Sequence, residues 1–201
     1  MISRRQAAAL SRGGFDVCVA APTGEKVAGD PFDVEIYATG TSSRDHFGPK
    51  CFDAQAVSAL RKLIDRFRPD VLYDVHGPPW AVDAASQAGV PVVSMMGDYN
   101  WYCLTSFLVD SRLHRCSGPE SVEKCFSCVN RWHPFRRRAV HAVLKPAARA
   151  GLARFHLWDR LNESSDYLAR MRARITTFVV GDQQASDFLV RHGVPPAKIV
   201  R

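Results

Sequence analysis

The chain lacks any run approaching the roughly 18 apolar residues that a membrane-spanning helix needs, although 46% of its 201 residues are apolar. That apolar share is ordinary for a globular protein and argues against disorder. The N-terminus, M-I-S-R-R-Q-A-A-A-L, starts basic but has no long apolar stretch, which argues against a secretory signal. Cysteine is scarce. Six in 201 residues are too few for a disulfide-stapled secreted scaffold, so a reducing cytoplasm is the expected compartment. There is no internal repeat and no low-complexity tract, and the length suits one substantial domain, 1–201, rather than two.

What is present is unevenly charged. The formal net charge is +7, and residues 131–174 hold 11 Lys or Arg against 3 Asp or Glu. That segment therefore carries the whole basic balance. Concentrated positive charge suits an anionic partner, a lipid headgroup, a phosphorylated substrate or nucleic acid, but a solvated helix face gives the same count. Phe135, Leu144, Leu152, Phe155, Leu157 and Trp158 are interleaved with the arginines. Such a pattern on helices can dock on an anionic membrane surface. No recognisable nucleic-acid module accompanies it, so nucleic acid is not the expected partner.

Apolar runs and helical periodicities alternate along the chain. A helix ending at Arg12 is closed by Gly13 and Gly14, and Phe15–Ala21 and Val34–Tyr37 read as strands, with loop over 40–50. Asp53 is placed to cap a helix whose Val57, Leu60, Ile64 and Phe67 form one stripe, broken by Pro69. Asp70–Val75 reads as a strand, Trp80–Ala88 as a short helix, and Val92–Met96 as a buried strand. Phe135–Leu144 and Pro146–Arg174 read as two helices, Pro146 starting the second and residues 162–166 interrupting it. Thr176–Val180 is a strand, Asp182 caps a helix ended by Gly193 and Pro195, and Lys198–Val200 begins a last strand. The expected fold is α/β: a doubly wound parallel sheet with helices on both faces. A Cys-containing loop and a basic helical insertion, 103–174, are set into it.

The stretch 89–128 concentrates the chemistry. Past Met96 the composition turns abruptly to Gly97, Asp98, Tyr99, Asn100, Trp101 and Tyr102. In open α/β sheets, ligands sit in the crevice beyond the carboxyl ends of the strands. Asp98 there can accept hydrogen bonds from a ligand, or simply serve as a turn residue. Tyr99, Asn100 and Trp101 offer flat apolar and amide groups, though aromatics after a strand are often core. His76, one strand earlier and followed by Gly77 and two prolines, holds the equivalent position for a ligand contact, or is a satisfied loop histidine. Cys103, Cys116, Cys125 and Cys128 are separated by 13, 9 and 3 positions. Four thiolates can bind zinc, and the terminal C-x-x-C is a usual half-site. The first pair lacks that tight spacing, so a disulfide or simple packing stays open. Cys18 lies in a strand and is expected in the core.

Several segments together resemble the N-terminal domain of family 4 glycosyltransferases: A-A-A-L-S-R-G-G-F-D-V-C-V-A-A-P, R-P-D-V-L-Y-D-V-H-G, A-G-V-P-V-V, G-D-Y-N-W-Y-C with C-S-G-P and C-F-S-C, and V-R-H-G-V-P-P-A-K-I-V. The resemblance covers nearly the whole chain. It implies a retaining GT-B enzyme whose N-terminal domain holds a glycan or lipid-linked acceptor. A C-terminal domain would hold the nucleotide-sugar donor and a paired-glutamate motif. The residues facing the acceptor are then expected to be His76, Gly97, Asp98, Tyr99 and Asn100. No catalytic residue is expected within the chain, and an anionic membrane surface is the expected neighbour of a lipid-linked acceptor. The scarce cysteines and the basic helical segment together give a cytoplasmic location, including a peripheral seat on the inner membrane face, as the expectation. By its pattern the chain begins inside the first helix, without the family's first strand and Gly-rich loop, and stops where the donor domain would begin. Gly97-Asp98 stands where the family commonly has His-Asp.

Overall fold

A computed structural model of the chain describes residues 3–21, 31–36, 54–75, 79–97, 99, 103, 108–110, 112–131, 135–150 and 156–201. Seven helices and six strands are described: α1 Ser3–Arg12, β1 Cys18–Ala21, β2 Asp33–Ile36, α2 Ala54–Phe67, β3 Leu72–Val75, α3 Pro79–Gln87, β4 Val92–Met96, α4 Val122–Arg131, α5 Phe135–Arg149, α6 His156–Arg174, β5 Thr177–Val180, α7 Gln183–Arg191 and β6 Ile199–Val200. The strands form two parallel ladders, β1-β2 and β3-β4-β5-β6. The protein is thus α/β with a four-stranded parallel sheet, compatible with the Rossmann-like fold expected from the alternating pattern.

The main core gathers Leu60 and Ile64 of α2, Trp80, Val82 and Ala85 of α3, Val92 and Met96 of β4, Met171 of α6, Phe178 of β5, and Phe188 and Leu189 of α7. Along β4 and β5 fully buried positions alternate with half-buried ones, so one face of each strand supplies this core. Asp74 and Ser94, register partners on β3 and β4, are buried among these apolar groups. The Ser94 hydroxyl donates to Asp74 Oδ2 at 3.0 Å, which gives both groups a partner away from water. A second, smaller cluster joins Phe126 of α4 to Trp158 and Leu161 of α6, with the Phe126 and Trp158 rings edge to face, centroids 5.7 Å apart.

Three expectations are corrected. C-F-S-C belongs not to a loop but to α4, a helix that packs Phe126 into the second cluster. Pro146 does not start a helix; α5 runs through it to Arg149. The lost hydrogen bond falls in the last turn, where few bonds remain to be broken. Residues 162–166 do not interrupt α6. Asn162, Ser164, Ser165 and Asp166 are poor helix formers, but buried Trp158, Leu161 and Met171 anchor the helix on both sides of them. Asp83 of α3 also pairs with Arg174, and with Arg170 at 3.5 Å. Tertiary packing overrides propensity here. The loop expected over 40–50 and the cap expected at Asp53 lie outside the described residues.

Candidate functional site

Met96 and Val180 are register partners at the carboxyl ends of β4 and β5, so Gly97 and Gly181 leave the sheet side by side. The next residue after Gly181, Asp182, has extended backbone geometry and caps α7, its Oδ1 accepting the Ala185 N–H at 2.7 Å. Facing this helix start is a compact turn. Val109 and Arg115 form an antiparallel bridge, and between them Asp110 Oδ1 accepts the N–H groups of Arg112 at 2.7 Å and His114 at 3.0 Å. Those two backbone donors hold the Asp110 carboxyl below the usual carboxylate range. The turn delivers Arg115, Cys116 and Ser117 to the strand ends.

Between the turn and α7 lies an open cavity of about 680 Å³. Arg115 and Ser117 contribute polar groups from the turn, and Asp182, Gln183, Gln184, Asp187 and Arg191 do so from the α7 side. Phe188 and Leu108 supply apolar wall. Donors and acceptors around an open concavity suit a polyhydroxylated ligand, amides and carboxylates matching hydroxyls, while Phe188 is buried behind them.

α7 is fixed to the turn at a second point. Gly118, buried and at φ +111°, passes so close to α7 that a Cβ there would lie 2.5 Å from His192 Nε2 and 2.6 Å from Phe188 Cε2. His192 stacks on Phe188 with centroids 4.5 Å apart, and its Nε2–H donates to the Ser117 carbonyl at 3.0 Å. On the other side Lys124 Nζ donates to Ser117 Oγ at 2.6 Å and to the Gly118 carbonyl at 3.2 Å. The cavity wall at 115–118 is therefore held from both α4 and α7.

Of the five expected acceptor residues, Gly97 and Tyr99 are among the described residues. His76, Asp98 and Asn100 lie outside the described residues. Gly97 is exposed at the end of β4. Tyr99 is half-buried, its ring edge-on to Phe188 with centroids 5.6 Å apart. Burial raises its phenol pKa, the Asp182 carboxylate raises it further, and Arg115 opposes them. Tyr99 thus stands within electrostatic reach of two charged residues of the cavity. Arg115, Ser117, Gln183, Gln184, Asp187 and Arg191 were not singled out by the sequence. Asp182 was legible only as a cap.

The four clustered cysteines come from three places. Cys103 and Cys116 pack against the main core and Cys125 against the second cluster; Cys128 lies one turn on from Cys125 in α4. Cys103, Cys116 and Cys128 are near enough to Cys125 for their charges to oppose its ionisation. With burial, the largest cause, this pushes the Cys125 thiol up to about 12, against a smaller opposing pull from Lys124. Among the described residues, no three His, Cys, Asp or Glu side chains converge closely enough to hold a metal ion. Cys18, expected in the core, is only partly buried in β1.

The basic segment is partly used internally. Arg170 and Arg174 pair with Asp83, Arg172 Nη1 donates to the His192 carbonyl at 2.9 Å, and Lys145 Nζ lies 5.3 Å from the centre of the Phe126 ring. On α5, Val140 and Val143 are 55% and 76% exposed, close in sequence to exposed Arg138. Among the described residues no helix is long and apolar enough to cross a membrane. No protein-family model matches the chain, and no curated protein matches it.

Proposed function

We propose that this chain is the acceptor-binding side of a GT-B glycosyltransferase of the family 4 type, transferring a sugar from a nucleotide-sugar donor to a glycan or lipid-linked acceptor. The observation that carries this reading is the cavity beyond the carboxyl ends of β4 and β5, with its amides, carboxylates and arginines set around Phe188. Arg115, Asp187 and Gln184 are the groups assigned to acceptor hydroxyls or to an acceptor phosphate. Tyr99 backs Phe188. The donor and the paired-glutamate chemistry belong to a second domain, in the same protein or supplied separately, so the 201 residues carry no transfer step themselves. Sugar turnover by the purified 201-residue chain would contradict this assignment.

The exposed Val140 and Val143 on basic α5 suit a helix that rests on an anionic leaflet, as a lipid-linked acceptor requires. Sedimentation with vesicles containing anionic lipid tests this: Val143→Glu is expected to reduce binding several-fold, and an unchanged bound fraction removes the membrane from the account.

A second reading is a non-catalytic binding module with a Cys-cluster metal site and a basic arm toward membrane or nucleic acid, and the placing of Cys125 and Cys128 one turn apart on α4 is what favours it. Acceptor binding in the cavity separates the two. Binding of oligosaccharide that weakens about tenfold or more in Arg115→Ala or Asp187→Ala, as expected for loss of a hydrogen bond to a charged group, favours the transferase. Absence of any sugar binding favours the module.

A further inference from the structure

We propose that the cavity reads a phosphate group on its saccharide, held between Arg115 and Arg191, so that the acceptor is a phosphorylated sugar. The inference rests on the acceptor reading above and narrows it. Arg115 lines the opening from the turn and Arg191 from α7, and both residues are exposed. Among the described residues neither forms an ion pair, and the Arg115 guanidinium donates no hydrogen bond. Arg191 Nη1 reaches only the Ser117 carbonyl, at 3.5 Å, a long contact. That contact brings the Arg191 head to the turn, two residues along the chain from Arg115.

The carboxylates of the neighbourhood already have donors. Asp182 Oδ1 accepts the Ala185 N–H at 2.7 Å as the α7 cap. Asp187 lies four positions before Arg191, the spacing of a helix ion pair, yet its Oδ1 accepts from Gln183 Nε2 at 2.5 Å. Asp110 takes the Arg112 and His114 N–H groups, and Glu120 pairs with Lys124 at 3.0 Å and accepts from the Ser117 hydroxyl. The chemistry left open is therefore cationic: two guanidinium forks, rich in N–H donors. Such a fork binds carboxylate or phosphate through paired hydrogen bonds. A carboxylate has two oxygens in one plane, enough for one fork. A phosphate monoester has three oxygens in diverging directions and about 1.5 to 2 negative charges at neutral pH, so it can meet both forks and balance both charges. Repulsion from Asp182 and Asp187 keeps the anion toward Arg115, Ser117 and Arg191. The second oxygens of those two carboxylates, with Gln184, are then the partners left for sugar hydroxyls. A cavity of about 680 Å³ lies within the range of ligand pockets, about 300–1,000 Å³, and has room for a hexose beside its phosphate.

NMR titration of the labelled 201-residue chain tests the proposal, with inorganic phosphate, the 1-phosphates of glucose, galactose and mannose, the methyl glycosides of the same sugars, and glucuronate. Inorganic phosphate alone should give saturable shifts at the Arg115 and Arg191 Nε–H resonances, weakened by added salt as screening grows. At least one sugar phosphate should bind about tenfold or more tighter than its methyl glycoside, as hydrogen bonds to a charged group allow. That ratio should fall part way in Arg191→Gln and towards one when Arg115→Gln is added, with the urea midpoint confirming that the variants fold. Lys62→Gln, which removes the same charge from exposed α2, should leave the ratio unchanged. A methyl glycoside that binds the cavity as tightly as its phosphate overturns the proposal and leaves the acceptor reading standing. Glucuronate that matches the sugar phosphates also overturns it, because charge alone is then read. So do phosphate shifts confined to Arg138 and Lys145 of α5. No cavity shift with any phosphate or glycoside overturns the proposal and the acceptor reading together.

Discussion

At the scale of single residues, Gly118 holds the most constrained place in the candidate site. Its backbone is left-handed and a methyl group would overlap both Phe188 and His192. Gly118→Ala is expected to lower stability by about 1–3 kcal/mol through overpacking, read as a fall in the urea midpoint with unchanged slope. Asp110 shows a different dependence. Two backbone N–H groups hold its carboxylate and lower its pKa. Its contribution is complete above the ordinary carboxylate value of the unfolded chain and is lost as pH falls through the lower folded value. In an acid titration followed by NMR, the Arg112 amide shift should therefore show a carboxylate transition centred below the ordinary value. In Asp110→Asn that transition should disappear. A transition centred above the ordinary carboxylate value would contradict the assignment.

At the scale of elements, α7 is built from local rules and read by the same rules. Asp182 as its cap and Gly193 at φ +83° beyond its end were legible from residue type, and Ala185, Phe188 and Leu189 form its buried face. Asp182→Ala is expected to cost about 1 kcal/mol through the lost cap and to loosen the cavity rim, seen as faster amide exchange at Gln184 and Ala185. The elements that escaped sequence reading are those fixed from outside. α4 does carry a short stripe, Val122, Cys125, Phe126 and Val129 at helical spacing, but its place depends on Phe126 meeting Trp158. α6 crosses Asn162, Ser164 and Ser165 because Asp83, on another helix, binds Arg170 and Arg174. The cavity follows the same division. Tyr99 and the strand end were visible as an abrupt change of composition. Arg115, Asp187 and Gln184 were not, because only the folding of the turn onto α7 brings them to one opening.

At the scale of the whole molecule, one core spanning the four-stranded sheet and one small helical cluster meet at the cysteines and at the 115–118 wall. Leu189 is fully buried in the larger core, so Leu189→Ala is expected to cost about 2–5 kcal/mol and to lower thermal stability without changing which ligand is bound. The central claim, a saccharide acceptor held at the carboxyl ends of β4 and β5, is tested most directly by NMR of the isotopically labelled chain titrated with a panel of oligosaccharides. The account predicts saturable shifts centred on the amides of Arg115, Ser117, Gln183, Gln184, Asp187 and Arg191, weakened by Asp187→Ala. Saturable shifts confined to α5 and α6, or no shifts with any saccharide, would contradict it.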